Sequence, residues 1–154
     1  MRRVLLALLF TLVACGDGPL DPGERREIER ARALWEQKRP ASYTFEARIS
    51  CFCDPAIAVW TELLVNGDQV MSVRPLQPLP SGLSGSKPEQ WHTVNALFTL
   101  IEQAGAASFT KDVSASYDPT YGFPTRIQIT CVDNVTDCGS TYEARNLQLP
   151  RIVR

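Results

Sequence analysis

The stretch SYTFEARISCFC, residues 42–53, decides the fold, because its side chains alternate strictly between apolar and polar. Alternation with a period of two places each set of side chains on its own side of an extended strand. We therefore predict a strand with one buried face and one exposed face. The buried face is predicted to carry Tyr43, Phe45, Ala47, Ile49, Cys51 and Cys53.

Further strand patterns lie downstream of this stretch. They are predicted at residues 59–65, 70–73, 113–117, 126–131 and 141–149. The first two flank Asn66-Gly67-Asp68, which is a strong signal for a hairpin turn. Short links of this kind favour antiparallel pairing. Residues 75–88 hold four prolines and are predicted to form a loop.

Two helices are predicted, one before the first strand and one after the third. The first begins at Asp21-Pro22-Gly23-Glu24, a cap followed by proline, and ends before Pro40. The second follows the cap Thr93 and ends near Gly105. Their apolar stripes are Ile28, Ala31, Leu34 and Trp35, and then Val94, Leu97, Phe98, Ile101 and Ala104.

The order of these elements, α-β-β-β-α-β-β-β, predicts an α+β fold. Because a sheet with one apolar face must bury it, we expect an antiparallel sheet of about five to six strands covered by the two helices. The chain has 154 residues, and residues 21–154 are predicted to form a single domain.

The N-terminus resembles a bacterial lipoprotein signal. Two arginines precede an apolar run at residues 4–14, which is far shorter than the roughly 20 residues of a membrane span. The run ends in LVAC, which resembles a lipobox, so residues 1–14 are predicted to be cleaved and Cys15 to be lipidated. Residues 15–20 would then form the lipidated start and a flexible spacer. The alternative is an ordinary secretory signal in which the cysteine occurs by chance.

Lipid on Cys15 would anchor the protein in the cell envelope. If the envelope has two membranes, Gly16 favours the periplasmic face of the outer membrane; otherwise we expect the outer face of the plasma membrane. Without residues 1–14 the chain has 14 basic and 17 acidic side chains, since two of the 16 basic ones are lost. Such a balance excludes a nucleic-acid-binding surface.

Four cysteines remain, which suggests two disulfides in an exported protein. Cys131 and Cys138 close a short loop easily, and this leaves Cys51 with Cys53. Residues two apart in a strand are too distant for a disulfide, so the strand must end or bulge there. In the alternative pairing, Cys51 and Cys53 each form a disulfide with Cys131 or Cys138.

Chemical sites are weakly indicated. Cys51 and Cys53 could exchange thiols, or bind copper with Met71 or His92, but no basic residue beside them lowers a thiol pKa. We expect no catalytic residue, no metal site and no cofactor, and hence no enzyme. The acidic run around Asp133 and Asp137 is interpreted as turn chemistry.

Several landmarks together are similar to an uncharacterised domain family of bacterial lipoproteins and secreted proteins, DUF6174, over residues 35–149. They are Trp35, SYTF at 42–45, CFC at 51–53, VNGDQV at 65–70, the second helix and YDPTYGFPTRI at 117–127. The resemblance implies the fold and the envelope location, and no activity. It also favours pairing Cys51 with Cys53, because the family pair occurs without Cys131 and Cys138.

The YDPTYGFP segment, residues 117–124, is interpreted as a structural turn, with a partner-binding role for Tyr121 and Phe123 as the second hypothesis. Our main functional hypothesis is a membrane-anchored structural or protein-binding module with an envelope protein partner. The alternatives are an inhibitor of a periplasmic hydrolase, and a thiol-redox or copper-handling protein that uses Cys51 and Cys53.

Overall fold

The computed structural model describes residues 19–135 and 137–149. The predicted signal segment and Cys15 lie outside the described residues. The helices are α1 (Pro22–Lys38) and α2 (Val94–Ala106), and the strands are β1 (Ser42–Cys51), β2 (Thr61–Asn66), β3 (Gln69–Pro75), β4 (Thr110–Tyr117), β5 (Pro124–Cys131) and β6 (Ser140–Gln148). Short 3-10 turns lie at Pro55–Ile57 and Pro88–Gln90.

The six strands form one antiparallel sheet in the order β3-β2-β1-β6-β5-β4. Each half of the chain contributes a three-stranded meander, and pairing of β1 with β6 joins the two halves. The predicted α+β class, six strands, two helices and element order are therefore confirmed. The strand boundaries differ from the predicted ones by a few residues, most usefully at β1, which ends at Cys51 and excludes Cys53.

Both helices start where their caps were predicted. The Asp21 carboxylate accepts hydrogen bonds from the backbone N–H of Gly23 and of Glu24 at 2.6 and 2.8 Å, and the Glu24 carboxylate accepts one from the Asp21 N–H. The Thr93 hydroxyl oxygen accepts a bond of 3.2 Å from the Ala96 N–H. These contacts satisfy donors that the first helical turn leaves without intrahelical partners.

The core lies between the helices and one face of the sheet. The predicted buried face of β1 is buried at Tyr43, Phe45, Ala47 and Ile49, but Cys51 is half-buried and Cys53, beyond the end of the strand, is exposed. α2 packs against β4 and β5, and α1 packs against β4. α1 also contacts β1, because the Trp35 ring packs edge-on against the Tyr43 ring with 5.3 Å between the ring centroids. Burial raises the pKa of Tyr43 to about 12.

The opposite face of the sheet carries a ladder of charged side chains. Glu143 accepts from Arg48 at 2.6 Å and from Arg126 at 3.0 Å, so one carboxylate joins three adjacent strands. Its side chain is 19% exposed. The hydrogen bond from Arg48 is the main cause that holds the pKa of Glu143 below its ordinary value. The ladder therefore fixes the register between the two halves of the sheet.

We predict that Glu143→Gln lowers the free energy of unfolding at pH 7 by about 1–2 kcal/mol, because two charge-assisted hydrogen bonds are weakened. A carboxylate whose pKa is lowered in the folded state stabilises the fold above its ordinary pKa, and the effect disappears as pH falls through the folded pKa. The difference in the free energy of unfolding between the variant and the wild type, measured from urea unfolding curves, should therefore shrink below about pH 4.5.

The matched control is Glu62→Gln on the same face. Glu62 is 37% exposed and pairs with Arg74 alone, so we expect a loss below about 0.5 kcal/mol. Equal losses for both variants, or a gap that does not depend on pH, would contradict a central role for Glu143.

Candidate functional site

The four cysteines lie at one end of the sheet. Cys51 is the last residue of β1 and lies opposite Ser140, the first residue of β6. Ser140 lies opposite Ile129, two residues before Cys131 at the end of β5. We call this region the disulfide end; it comprises residues 51–53, Phe109, residues 131–135 and Cys138.

The structure pairs the cysteines locally. Cys51 is joined to Cys53 and Cys131 to Cys138, with Cα–Cα distances of 5.2 and 6.1 Å. Both distances lie within the range of about 4.4–6.8 Å that disulfides require. Because β1 ends at Cys51, the chain turns at Phe52 and brings Cys53 back. This turn removes the distance problem that an extended strand would have posed.

Phe52 projects from the disulfide end. Its side chain is 84% exposed, the highest value among seven large apolar residues that are exposed in the described part of the chain. Phe109, Val132 and Val135 also belong to this set and lie at the same end. Four of the seven are thus concentrated in one region, and such clustering of exposed apolar side chains is typical of interaction sites.

Polar contacts hold the base of this region in place. The Asp54 carboxylate accepts from the Ala56 N–H at 2.9 Å and from the Gln90 side chain at 3.1 Å. The first of these bonds is the main cause that lowers the pKa of Asp54. Lys111 pairs with Asp133 at 3.3 Å on the far side. Asp54 and Asp133, which make these contacts, are thus neighbours in the chain of the exposed apolar region.

The structure does not assemble the copper ligands considered for the cysteines. Met71 lies near the start of β3, at the opposite end of the sheet from Cys51 and more than about 25 Å from it by strand geometry. The His92 ring packs edge-on against the Tyr142 ring at 5.5 Å, and burial lowers its pKa. Within residues 19–135 and 137–149, no group of three His, Cys, Asp or Glu side chains could hold a metal ion.

The YDPTYGFP segment lies at the opposite end of the sheet and docks on α1. The Asp118 carboxylate accepts from the backbone N–H of Thr120 and of Tyr121 at 2.9 and 2.7 Å. Gly122 has φ +81° and lies against the backbone of α1, where a β-carbon would clash with the carbonyl oxygen of Ala31. The segment therefore has a clear structural role.

The hypothesis that Phe123 binds a partner needs correction. Its side chain is 2% exposed because the Gly122 turn directs it into the core. Tyr121 is half-buried and also packs against the core. Phe123 is therefore not available to a partner, whereas a partner-binding role for Tyr121 stays a prediction.

Two features were missed by sequence reasoning. Phe52 was treated as part of a cysteine motif, although an aromatic residue between two paired cysteines is a usable signal for exposure. A polar cleft of about 510 Å³ also opens at the end opposite the disulfides. In it the Trp35 indole N–H donates to Asn95 at 2.8 Å, and the Asn95 amide donates to Asp68 at 2.7 Å. These residues are far apart in sequence, so no local pattern reveals the cleft.

Comparison with known proteins gives one match. A family model described as "Family of unknown function (DUF6174)" covers residues 27–149. It includes most of α1, which the sequence resemblance left out. No curated protein and no solved structure matches the chain. In the described residues, no helix has the length and apolar character needed to cross a membrane.

We predict that Gly122→Ala lowers the free energy of unfolding by about 2–4 kcal/mol, since it adds both a steric clash with α1 and an unfavourable positive φ. Gly82→Ala is the matched control: Gly82 has φ +86° with no neighbouring atoms within 4 Å, so it should lose only about 1 kcal/mol. Thermal unfolding measures both. Losses of the same size would mean that contact with α1 is unimportant.

Proposed function

Since the chain belongs to DUF6174, a family of unknown function, we propose from its surface that the protein is a lipid-tethered module of the bacterial envelope that binds another envelope protein. Binding is proposed at the disulfide end, with Phe52 as the central contact. The observation that carries the proposal is an aromatic ring that is 84% exposed and held between two paired cysteines.

Conformational restriction makes Phe52 a favourable binding residue. Association costs free energy because flexible groups must be ordered, and a short disulfide ring reduces that cost in advance. Aromatic side chains that bury a large area are among the residues that contribute most to binding. Phe109, Val132 and Val135 would extend the apolar contact around it.

The tether is supported by the sequence at Cys15, and the packing of Leu20 sets the length of the spacer. Leu20 is buried and its side chain contacts Gly105 of α2. The domain is therefore held from residue 20 onward, and only a short spacer would separate it from lipid on Cys15. Two or three acyl chains on one cysteine would give a firm anchor, because each buried CH₂ contributes about 0.8 kcal/mol.

Inhibition of a periplasmic hydrolase is the second candidate. A rigid, protruding aromatic loop is suited to entering a concave site on an enzyme, and Phe52 provides one. We do not extend the proposal to thiol-redox or copper chemistry. No basic side chain flanks Cys51 or Cys53, and Met71 lies far from both.

We predict that replacing Phe52 by p-benzoyl-L-phenylalanine in the full chain gives a discrete photo-cross-linked product with one envelope protein in intact cells. Phe52→Ala should weaken binding to that protein by at least about tenfold, as expected for a central contact. The free energy of unfolding should change by less than about 0.5 kcal/mol, because the side chain is exposed.

Leu149 is the matched control, being 58% exposed at the other end of the sheet. The photoreactive residue at position 149 should give no such product, and Leu149→Ala should bind normally. Cross-linking that is equal at both positions would argue against a specific site at Phe52. A cross-linked hydrolase whose activity falls on binding would favour the inhibitor.

We predict that Cys15→Ser abolishes lipid modification and signal cleavage, so that the mature mass, increased by lipid, is absent from the mass spectrum. The Cys131→Ser/Cys138→Ser double variant should keep lipid and remain in the membrane fraction. Unchanged processing and membrane fractionation of Cys15→Ser would overturn the tether.

A further inference from the structure

β4 is a free edge of the sheet beside an open groove. In the part of the chain that the structure describes, β4 pairs with β5 on one side and has no strand on the other. Every second residue of an edge strand directs its N–H and C=O away from the sheet, where another strand can pair with them. The other edge strand, β3, is flanked by the turn Pro88–Gln90.

Protection of this edge is limited to its two ends. Lys111 lies near the start of β4, and irregular pairing occurs at Thr110–Asp112 and again at Ser116–Tyr117. Charges and bulges are the usual means by which proteins block strand addition. Between them, residues 113–116 read VSAS, with no charge and no proline. About four residues of β4 are thus open to pairing.

α1 forms the second wall of the groove. A groove of about 410 Å³ is lined by one face of α1 and by the C-terminal part of β4. Its lining includes Glu27, Ala31 and Leu34 of α1, and Ala115 and Tyr117 of β4. This volume suits a few side chains and is too small for a helix. Its lining combines apolar side chains with charged and polar groups.

The charge around the groove selects its occupant. Glu24, Glu27 and Asp118 line the groove and the small cavity that adjoins it, with Arg30 as the opposing charge. The lining therefore carries an excess of two negative charges. A second copy of this chain would bring its own Glu24 and Glu27 towards the same carboxylates, so pairing of two β4 strands is opposed.

We propose that the β4 groove binds an extended, lysine- or arginine-flanked segment of a partner protein, which adds to the sheet as a seventh strand. The backbone of residues 113–116 would supply the hydrogen bonds. Alternate side chains of the segment would enter the cavity beside Ala115, and its basic ends would meet Glu24, Glu27 and Asp118. Strand addition of this kind derives affinity from the backbone and specificity from the pockets. The site is separate from Phe52.

The test uses the full chain and a defined probe, a set of fluorescein-labelled heptapeptides with lysine at both ends. Their five central positions are drawn from valine, threonine, leucine and tyrosine. The expected result is saturable binding by fluorescence polarisation, with slower amide hydrogen exchange at residues 113–116. Replacing both lysines with glutamate, or N-methylating alternate backbone nitrogens in one of the two registers, should weaken binding at least tenfold.

Two matched variants of β4 locate the site. Ala115→Phe fills the groove and should weaken binding at least tenfold, whereas Ser114→Phe places the same ring on the opposite face and should bind normally. Thermal unfolding tests whether both variants remain folded. If Ala115→Phe fails to fold, Leu34→Lys on the α1 wall replaces it, with the same loss expected.

Three results would overturn the proposal: no member of the peptide set binds, exchange slows elsewhere than β4, or the two β4 variants bind equally. Concentration-dependent dimerisation that Ala115→Phe abolishes would assign the edge to a second copy and would also overturn it. Phe52→Ala should leave peptide binding unchanged, so failure of either proposal can be recognised without the other.

Discussion

The pairing of β1 with β6 is the constraint on which the rest of the structure depends. β1 and β6 join the two three-stranded meanders at the centre of the sheet, and a single core extends across both halves. Their register places Arg48 opposite Glu143, and Glu46 opposite Arg145, on the exposed face. The same register buries Ile49 beside Tyr142 on the inner face. One strand pair therefore aligns both the core and the charged ladder.

This register also determines where the candidate binding residues lie. β1 and β5 flank β6, and both strands end at the same end of the sheet. The two disulfides are therefore brought together although their sequence positions are far apart. The turn at Phe52 then leaves an aromatic ring in solvent, where burial cannot stabilise it. Because the exposed ring contributes no burial energy to the fold, we assign it a role in recognition.

The two ends of the sheet serve different purposes. At one end, Gly122 and Phe123 attach the turn after β4 to α1, so the most distinctive motif of the chain is used for packing. At the other end, Phe52 and its neighbours remain exposed. Distinctive residues are thus structural at one end and form a candidate site at the other. Their burial in the structure distinguishes the two roles.

The sequence by itself determined the α+β class, the element order, both helix caps and the buried face of β1, because these depend on local periodicity and on residues adjacent in the chain. It also indicated local cysteine pairing. Strand order, the proximity of the two disulfides, the burial of Phe123, the charged ladder at Glu143 and the groove beside β4 were decided only by the tertiary structure. They depend on which strands become neighbours, and that choice comes from burying the apolar faces of both halves in one core, a long-range interaction that local patterns do not encode.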